Sequence, residues 1–268
     1  MSNHYSLRQI AAKGRGLVAT SRIKTGTTVL EESAVCACLN SSAEENHCAH
    51  CFRIHSGASS SYCSEACLNN ALGTHQSLLN KCDLSVFDGT TRRFPKLIAQ
   101  LVSKSMSPQS EAQLDFQSFW GTVLTLAAPQ TYIAEAVSED YQNVMQCFKP
   151  VMNEDAHNVI FSSLTLEWYA RVEGILHLNA IGLSPRPQID APANLHLNIV
   201  DDVGVGLFLT ASMLNHSCDP SLEMIRAGDE PNPGVLFNAC KPIAAEEEMT
   251  ISYLENSRSM ERKTRQEE

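Results

Sequence analysis

One stretch of this chain cannot build a core of its own, and that limits what the rest can fold into. From Cys48 to Cys82 the sequence is rich in Cys, His and Ser and poor in large apolar side chains. Burial of apolar surface cannot order such a segment, and a bound metal is the simplest substitute. Cys48-x-x-Cys51 and Tyr62-Cys63-x-x-x-Cys67 supply four thiols, with Cys51 and Cys63 twelve positions apart. A CxxC places two sulfurs on one turn, and the second pair opens a helical-looking stretch from Cys67 to Leu72, so the spacing predicts one closed, tetrahedral, structural zinc site. Free thiols or a redox pair are the competing reading, and two pairs fit metal better than either. His75 and Cys82 follow as weak candidates for a second site, their plainer reading being packing or surface residues.

The chain has 268 residues, enough to bury a full core without disulfides, and fits one large domain carrying insertions. Its ten cysteines would suit a secreted scaffold only behind a signal peptide, and Met1–Ser6 has neither a charged nor an apolar leader segment. No stretch approaches the roughly 18 to 20 apolar residues of a membrane span. The expectation is therefore a soluble intracellular protein, nuclear or cytoplasmic, with no membrane partner. The formal net charge of −10 disfavours direct nucleic-acid binding. The same acidity suits a basic peptide, or serves solubility alone.

Patterning divides the chain into β-rich ends around a helical middle. Leu17–Ala19 and Thr27–Leu30 are short β-rich runs broken at Lys24-Thr25-Gly26, which predicts a small antiparallel unit. From Arg92 to about Gly182 apolar residues recur at helical spacing, as in Leu97, Ile98, Leu101 and Val102, then in Leu164, Trp168, Val172, Ile175 and Leu176. Beyond Pro185 and Pro187, strands are predicted near 195–200, 205–210, 222–227, 234–240 and 248–253. The fold class is α+β, with a cysteine-rich insertion and a helical insertion in a β-rich domain.

Two motifs near the C-terminal end carry the chemistry. Asn215-His216-Ser217-Cys218-Asp219-Pro220 has short polar side chains and a turn-forming Asp-Pro, the composition of a ligand-binding loop. About thirty residues on, Glu248-Met249-Thr250-Ile251-Ser252-Tyr253 alternates as a half-buried strand and carries a tyrosine at its end. Each is weak alone; the pair, in this order, is specific.

These residues resemble the lysine methyltransferases that carry a MYND zinc finger inserted in a SET domain. Cys48, Cys51, Cys63 and Cys67 match the first zinc site of such a finger, whereas its second CxxC is missing and its closing H-x3-C is stretched to His75-x6-Cys82. Lys13-Gly14-Arg15-Gly16-Leu17 is similar to the family's opening cofactor loop, and Asn179-Ala180-Ile181-Gly182 to the Asn-containing segment after the inserted helices. Ser221 stands where the family usually has Asn, and Ala245 where it often has Gly. The resemblance implies a SET-domain β-fold of several small sheets with a pseudoknot-like C-terminal core. It implies an N-terminal SET part at 1–47, a degenerate MYND-type finger at 48–82, a helical insertion at 83–182, the C-terminal SET core at 183–256 and the start of a truncated post-SET region at 257–268.

It further implies an S-adenosyl-L-methionine-dependent protein-lysine N-methyltransferase whose substrate is a basic lysine-containing peptide, histone or non-histone, with a proline-containing peptide as a further partner of the finger. Gly14, Arg15, Gly16, Asn179, Asn215 and His216 would bind the cofactor, Tyr253 would be catalytic, and zinc would be structural. Lysine attacks only as the neutral amine, at a cost of roughly 4 kcal/mol near neutral pH, and an apolar channel lowers that cost. His216 is second to Tyr253 as a group for chemistry. Family members continue into a post-SET CxCxxC segment, which is missing before Glu268. The alternative expectation is therefore a catalytically impaired zinc-binding interaction module or scaffold.

Overall fold

Residues 14–19 show how the fold begins. Leu17, Val18 and Ala19 are all buried, the mark of a strand covered on both faces, and they lie in β2 (Gly14–Ala19). The computed structural model describes residues 4–55, 61–73, 76–87, 94–106, 116–131, 133–151, 162–183, 202–226 and 233–253. The strand expected near 195–200 and the segment 257–268 lie outside the described residues.

The described chain divides into two units. The first is discontinuous and takes residues from both ends, 1–33, 209–230 and 234–268, while the second spans 34–208 with 231–233. In the first unit, β1 (Tyr5–Ile10) pairs antiparallel with β2, and β2 pairs on its other side with β10 (Glu248–Ile251). β10 then pairs in parallel with β7 (Asn215–His216), giving the order β1-β2-β10-β7. A second sheet runs β3-β9-β8, from β3 (Thr28–Ser33), β8 (Leu222–Arg226) and β9 (Gly234–Ala239). Along β9, Val235, Phe237 and Ala239 are buried and alternate with half-buried neighbours, so one face of this strand points into the core.

The two β-rich runs near the N-terminus do not form the local antiparallel unit that the sequence predicts. β2 pairs with β1 and β10, whereas β3 pairs with β9. The reason lies at the break between them. Gly26 N–H donates to the Ala239 carbonyl, and Ile23 bridges to Ile243, so the turn is tied to the β9–β10 connection and the two strands part into different sheets. β1, unremarked in the sequence reading, supplies the outer partner.

The second unit holds the sheet β4-β6-β5, from β4 (Cys36–Leu39), β5 (Ala180–Leu183) and β6 (Gly204–Leu207). Its described helices are α1 (Glu65–Leu72), α2 (Gln76–Leu79), α3 (Phe94–Ser105), α4 (Phe116–Val123), α5 (Ser138–Phe148) and α6 (Leu166–Asn179). Pro95 sits in the first turn of α3, where its missing N–H costs nothing, and Leu97, Ile98, Leu101 and Val102 line the buried face. α6 starts at Thr165, whose hydroxyl accepts from Trp168 N–H, and buries Tyr169, Val172, Ile175 and Leu176. The helical pattern stops at Asn179 rather than Gly182. Ala180 is already extended, and Ala180–Leu183 pairs with β6, so sheet pairing overrides the helix there. Among the described residues, no helix is long and apolar enough to cross a membrane.

Candidate metal centre and candidate active site

The four cysteines come together in the second unit. Cys48, Cys51, Cys63 and Cys67 place their sulfurs within 4.8 Å of one another. Cys51–Cys63 and Cys63–Cys67 are each 3.5 Å apart, close to the edge of a tetrahedron about a zinc bound at roughly 2.3 Å. All four are free thiols, and Cys48, Cys51 and Cys67 are buried.

Local structure explains the cluster. Phe52 N–H closes the first knuckle on the Cys48 carbonyl, and Cys48 N–H donates to the Arg53 carbonyl. Phe52 adopts a left-handed backbone (φ 61°) and buries its ring. β6 makes room for that ring, because a Cβ at Gly204 would lie 2.5 Å from Phe52 Cε2. On the other side Ser64 caps α1 by accepting from Cys67 N–H, which sets Cys63 and Cys67 at the helix N-terminus, where thiolates are favoured. Hydrogen bonding from Cys51, ahead of the opposing burial, holds the Cys48 thiol down to about 4. Burial pushes Cys67 up. Four thiols at this spacing repel as thiolates unless a cation sits among them, so the donor set fits zinc. Cys82 is not in this group: its thiol donates to the Leu78 carbonyl and is hydrogen-bonded to Cys147, a partner supplied by α5. His75 lies outside the described residues.

The other predicted residues, Asn179 excepted, meet in the first unit. The parallel pairing sets Thr250 beside Asn215 and Ile251 beside His216. Ser217 N–H donates to the Ile251 carbonyl, while Ser221 and Thr250 exchange hydrogen bonds through Thr250 N–H to Ser221 Oγ at 3.0 Å and Ser221 N–H to the Thr250 carbonyl at 3.2 Å. These bonds hold the 215–221 loop against β10. Tyr253, just past that strand, turns its hydroxyl inward to donate to the Leu214 carbonyl at 2.7 Å, although the residue is 61% exposed.

Asn215 ties the loop to the glycine segment. Its Nδ2 donates to the Arg15 carbonyl at 3.1 Å and to Glu248 Oε1 at 2.8 Å. Both amide protons are thus committed, and the group it can offer a ligand is its Oδ1 acceptor. Glu248 also takes Lys13 Nζ on Oε2 at 2.8 Å. Both residues lie in motifs quoted from the sequence, but neither is given a role there, because the spacing within each motif does not show that the two charges pair. Gly16 is required by close approach, since a Cβ there would lie 2.7 Å from Ile10 Cγ1 and 2.8 Å from Asn215 Nδ2. Gly16→Ala is expected to displace the Asn215 amide and to destabilise the fold by about 1–3 kcal/mol, the cost of overpacking of this kind. Urea titration of the variant measures the change.

His216 is held by both ring nitrogens. Tyr253 N–H donates to Nδ1 at 3.1 Å, so the neutral ring carries its proton on Nε2, which faces Cys218 Sγ at 3.4 Å. Such an imidazole anchors the backbone of Tyr253 and has no nitrogen left to take a proton from a substrate. Burial, with help from the Lys13 charge, holds it below its ordinary value of 6.5. The unfolded chain therefore binds that proton more readily. The contribution of His216 to stability is level above about pH 6.5 and declines as acidification proceeds below it, until the folded imidazole itself protonates. Urea titrations across this range are expected to show a decline that is smaller in His216→Gln.

Asn179 belongs to the second unit. Its Nδ2 donates to the Ala127 and Ile175 carbonyls, both at 2.7 Å, so in this structure it closes α6.

The family model described as "SET domain" matches residues 14–254. "Histone-lysine N-methyltransferase ATXR4" of Arabidopsis thaliana is 24% identical over 264 residues, covering 92% of this chain and 77% of that protein. "Histone-lysine N-methyltransferase SMYD3" of Mus musculus is 26% identical, covering 96% of this chain but only 56% of that protein. A solved structure described as "Structure of Rubisco LSMT bound to AdoMet" overlaps 95% of this chain and 49% of its own, at 13% identity and a TM-score of 0.44.

Proposed function

The chain belongs to the SET domain family, and from that premise we propose that it is an S-adenosyl-L-methionine-dependent protein-lysine N-methyltransferase acting on a basic, lysine-containing protein segment such as a histone tail. The observation that carries this reading is the meeting of three distant segments: the Arg15 carbonyl on Asn215, the Tyr253 backbone on His216 and the Tyr253 hydroxyl on Leu214. Gly14, Arg15, Gly16, Asn215 and His216 are the proposed cofactor contacts, with Asn179 as a further one. When bound, S-adenosyl-L-methionine supplies an electrophilic methyl group on a positively charged sulfur.

The residues present suit that chemistry. Burial, and secondarily the Glu248 carboxylate, push the Tyr253 phenol above its ordinary 10, so it stays protonated well past neutral pH. Its proton is committed to Leu214. The phenol oxygen therefore offers only lone pairs to a neighbouring group, which suits it to orient an amine N–H and to disperse positive charge at the transferring carbon. No residue of the site has to act as a nucleophile. Zinc, held by Cys48, Cys51, Cys63 and Cys67, is structural, because a closed four-thiolate set leaves no open position for chemistry. The acidic chain, at net charge −10, complements a basic substrate.

Titration with S-adenosyl-L-methionine, followed by labelled-methyl transfer to histones and to basic lysine peptides, tests the reading. Binding with transfer supports it. Binding without transfer to any of them favours the scaffold alternative, and absence of cofactor binding removes the enzyme assignment altogether.

A further inference from the structure

A carboxylate outside every motif holds the segment on which the site is built. Glu32 lies in β3, opposite Val235 of β9. Its Oε1 accepts from Leu209 N–H and Thr210 N–H, both at 2.9 Å, and its Oε2 accepts from Thr210 N–H at 3.1 Å and Ala211 N–H at 2.8 Å. One side chain thus satisfies three consecutive backbone donors. Its neighbour Glu31 is exposed and makes no such contact among the described bonds.

The segment so gripped ends on the site. Thr210 and Ala211 open a single 3-10 turn, closed by Met213 N–H on the Thr210 carbonyl and Leu214 N–H on the Ala211 carbonyl. Leu214 is the residue whose carbonyl accepts the Tyr253 hydroxyl, and Asn215 follows it. Glu32, the turn, the Leu214 carbonyl and the Tyr253 phenol form one unbroken chain of hydrogen bonds within the first unit. We propose that Glu32 is a positioning residue that sets the Tyr253 hydroxyl and Asn215 through the backbone of residues 209–214. It touches neither substrate nor cofactor. The three N–H groups converge on one side chain, and a carboxylate bound in charge-assisted fashion at both oxygens fixes their direction more firmly than one neutral acceptor would. Its catalytic consequence rests on the methyltransferase reading; its structural consequence does not.

Glu32→Gln keeps the shape but turns one acceptor into a donor that faces backbone N–H groups. In the unsubstituted chain the amides of Leu209, Thr210 and Ala211 are expected to exchange slowly with solvent, and in the variant at least about tenfold faster. Tyr253, followed by its alkaline ultraviolet titration as the difference from Tyr253→Phe, is expected to titrate lower than in the unsubstituted chain, because a phenol that no longer donates to the Leu214 carbonyl loses a bond that favours its protonated form. Turnover is expected to fall on the order of 100-fold, as misplacement of reacting groups does, with little change in the KM of a lysine peptide. Glu32→Asp, which restores the charge on a shorter arm, should recover part of both signals. Unchanged Tyr253 titration in Glu32→Gln, or fast exchange of the three amides in the unsubstituted chain, overturns the proposal. If the Gln variant does not fold, the amide exchange of the unsubstituted chain and the Asp variant decide. If the unsubstituted chain transfers no methyl group, the functional reading fails while the exchange and titration arms still judge Glu32.

Discussion

Tyr253→Phe is expected to lower methyl transfer by about 10²- to 10³-fold, the range for removing one preorganised polar group from a reacting centre, while cofactor affinity stays nearly unchanged. The separation follows from what the hydroxyl does. Its described hydrogen bond goes to Leu214, whereas the proposed cofactor edge is tied together by a separate bond from Asn215 to the Arg15 carbonyl. The Tyr253 backbone bond to His216 survives the change, so the loop keeps its anchor. Loss of the hydroxyl leaves the Leu214 carbonyl without that donor, worth about 1 kcal/mol, and thermal unfolding should fall by only a few degrees in a chain of this length. Single-turnover transfer, cofactor calorimetry and a melting curve together check the pattern; retained turnover in the Phe variant removes Tyr253 from its assigned role.

Cys48→Ser should remove metal from the protein, from about one zinc per chain to almost none, since a structural site needs all four thiolates. The finger is expected to lose its fold with the ion. Cys48 supplies one of the four sulfurs, and among the described residues the partly buried apolar side chain packed against the thiols is Tyr62. With so little apolar burial, metal binding is most of what folds the segment, and apparent values of about 10–16 kcal/mol for structural zinc in finger peptides give the scale. Proteolysis should open between residues 48 and 73, and a strong chelator should reproduce the effect in the unsubstituted chain. Cofactor affinity should change far less, because none of the proposed cofactor contacts lies between Cys48 and Cys82. Metal content and melting temperature that match the unsubstituted protein would show that zinc is not held there.

The parts of this molecule legible in its sequence were those with a period or a fixed spacing. The cysteine pairs and the helical stretches around Leu97–Val102 and Trp168–Leu176 reflect local rules and are where their patterns place them. The last strand, by contrast, covers only Glu248–Ile251 and buries Met249 and Thr250 together instead of alternating, because β10 is paired on both sides. What escaped was pairing over distance. The break at Lys24–Gly26 reads as a hairpin turn, yet its partner is the 239–243 segment more than two hundred residues on. Single charges escaped as well. Glu32 and Glu248 look like solvated strand residues until the donors that reach them, from residues 209–211 and from Lys13 and Asn215, are seen in space. The state of His216 was equally hidden, since only the Tyr253 N–H on Nδ1 shows which nitrogen keeps the proton.

The partnership of β10 with β2 on one side and β7 on the other has a consequence for how the protein is made. A ribosome delivers Leu17 and Val18 long before their partners Met249 and Glu248, so through much of translation the amino-terminal hairpin waits with one flank uncovered. Such a topology folds slowly, because a long loop must close before any contact rewards it. The thiol cluster, drawn from a short span of chain, can capture its ion long before that. The thiol cluster should therefore be complete before β10 joins β2, with the uncovered edge of the hairpin a target for chaperones in the interval.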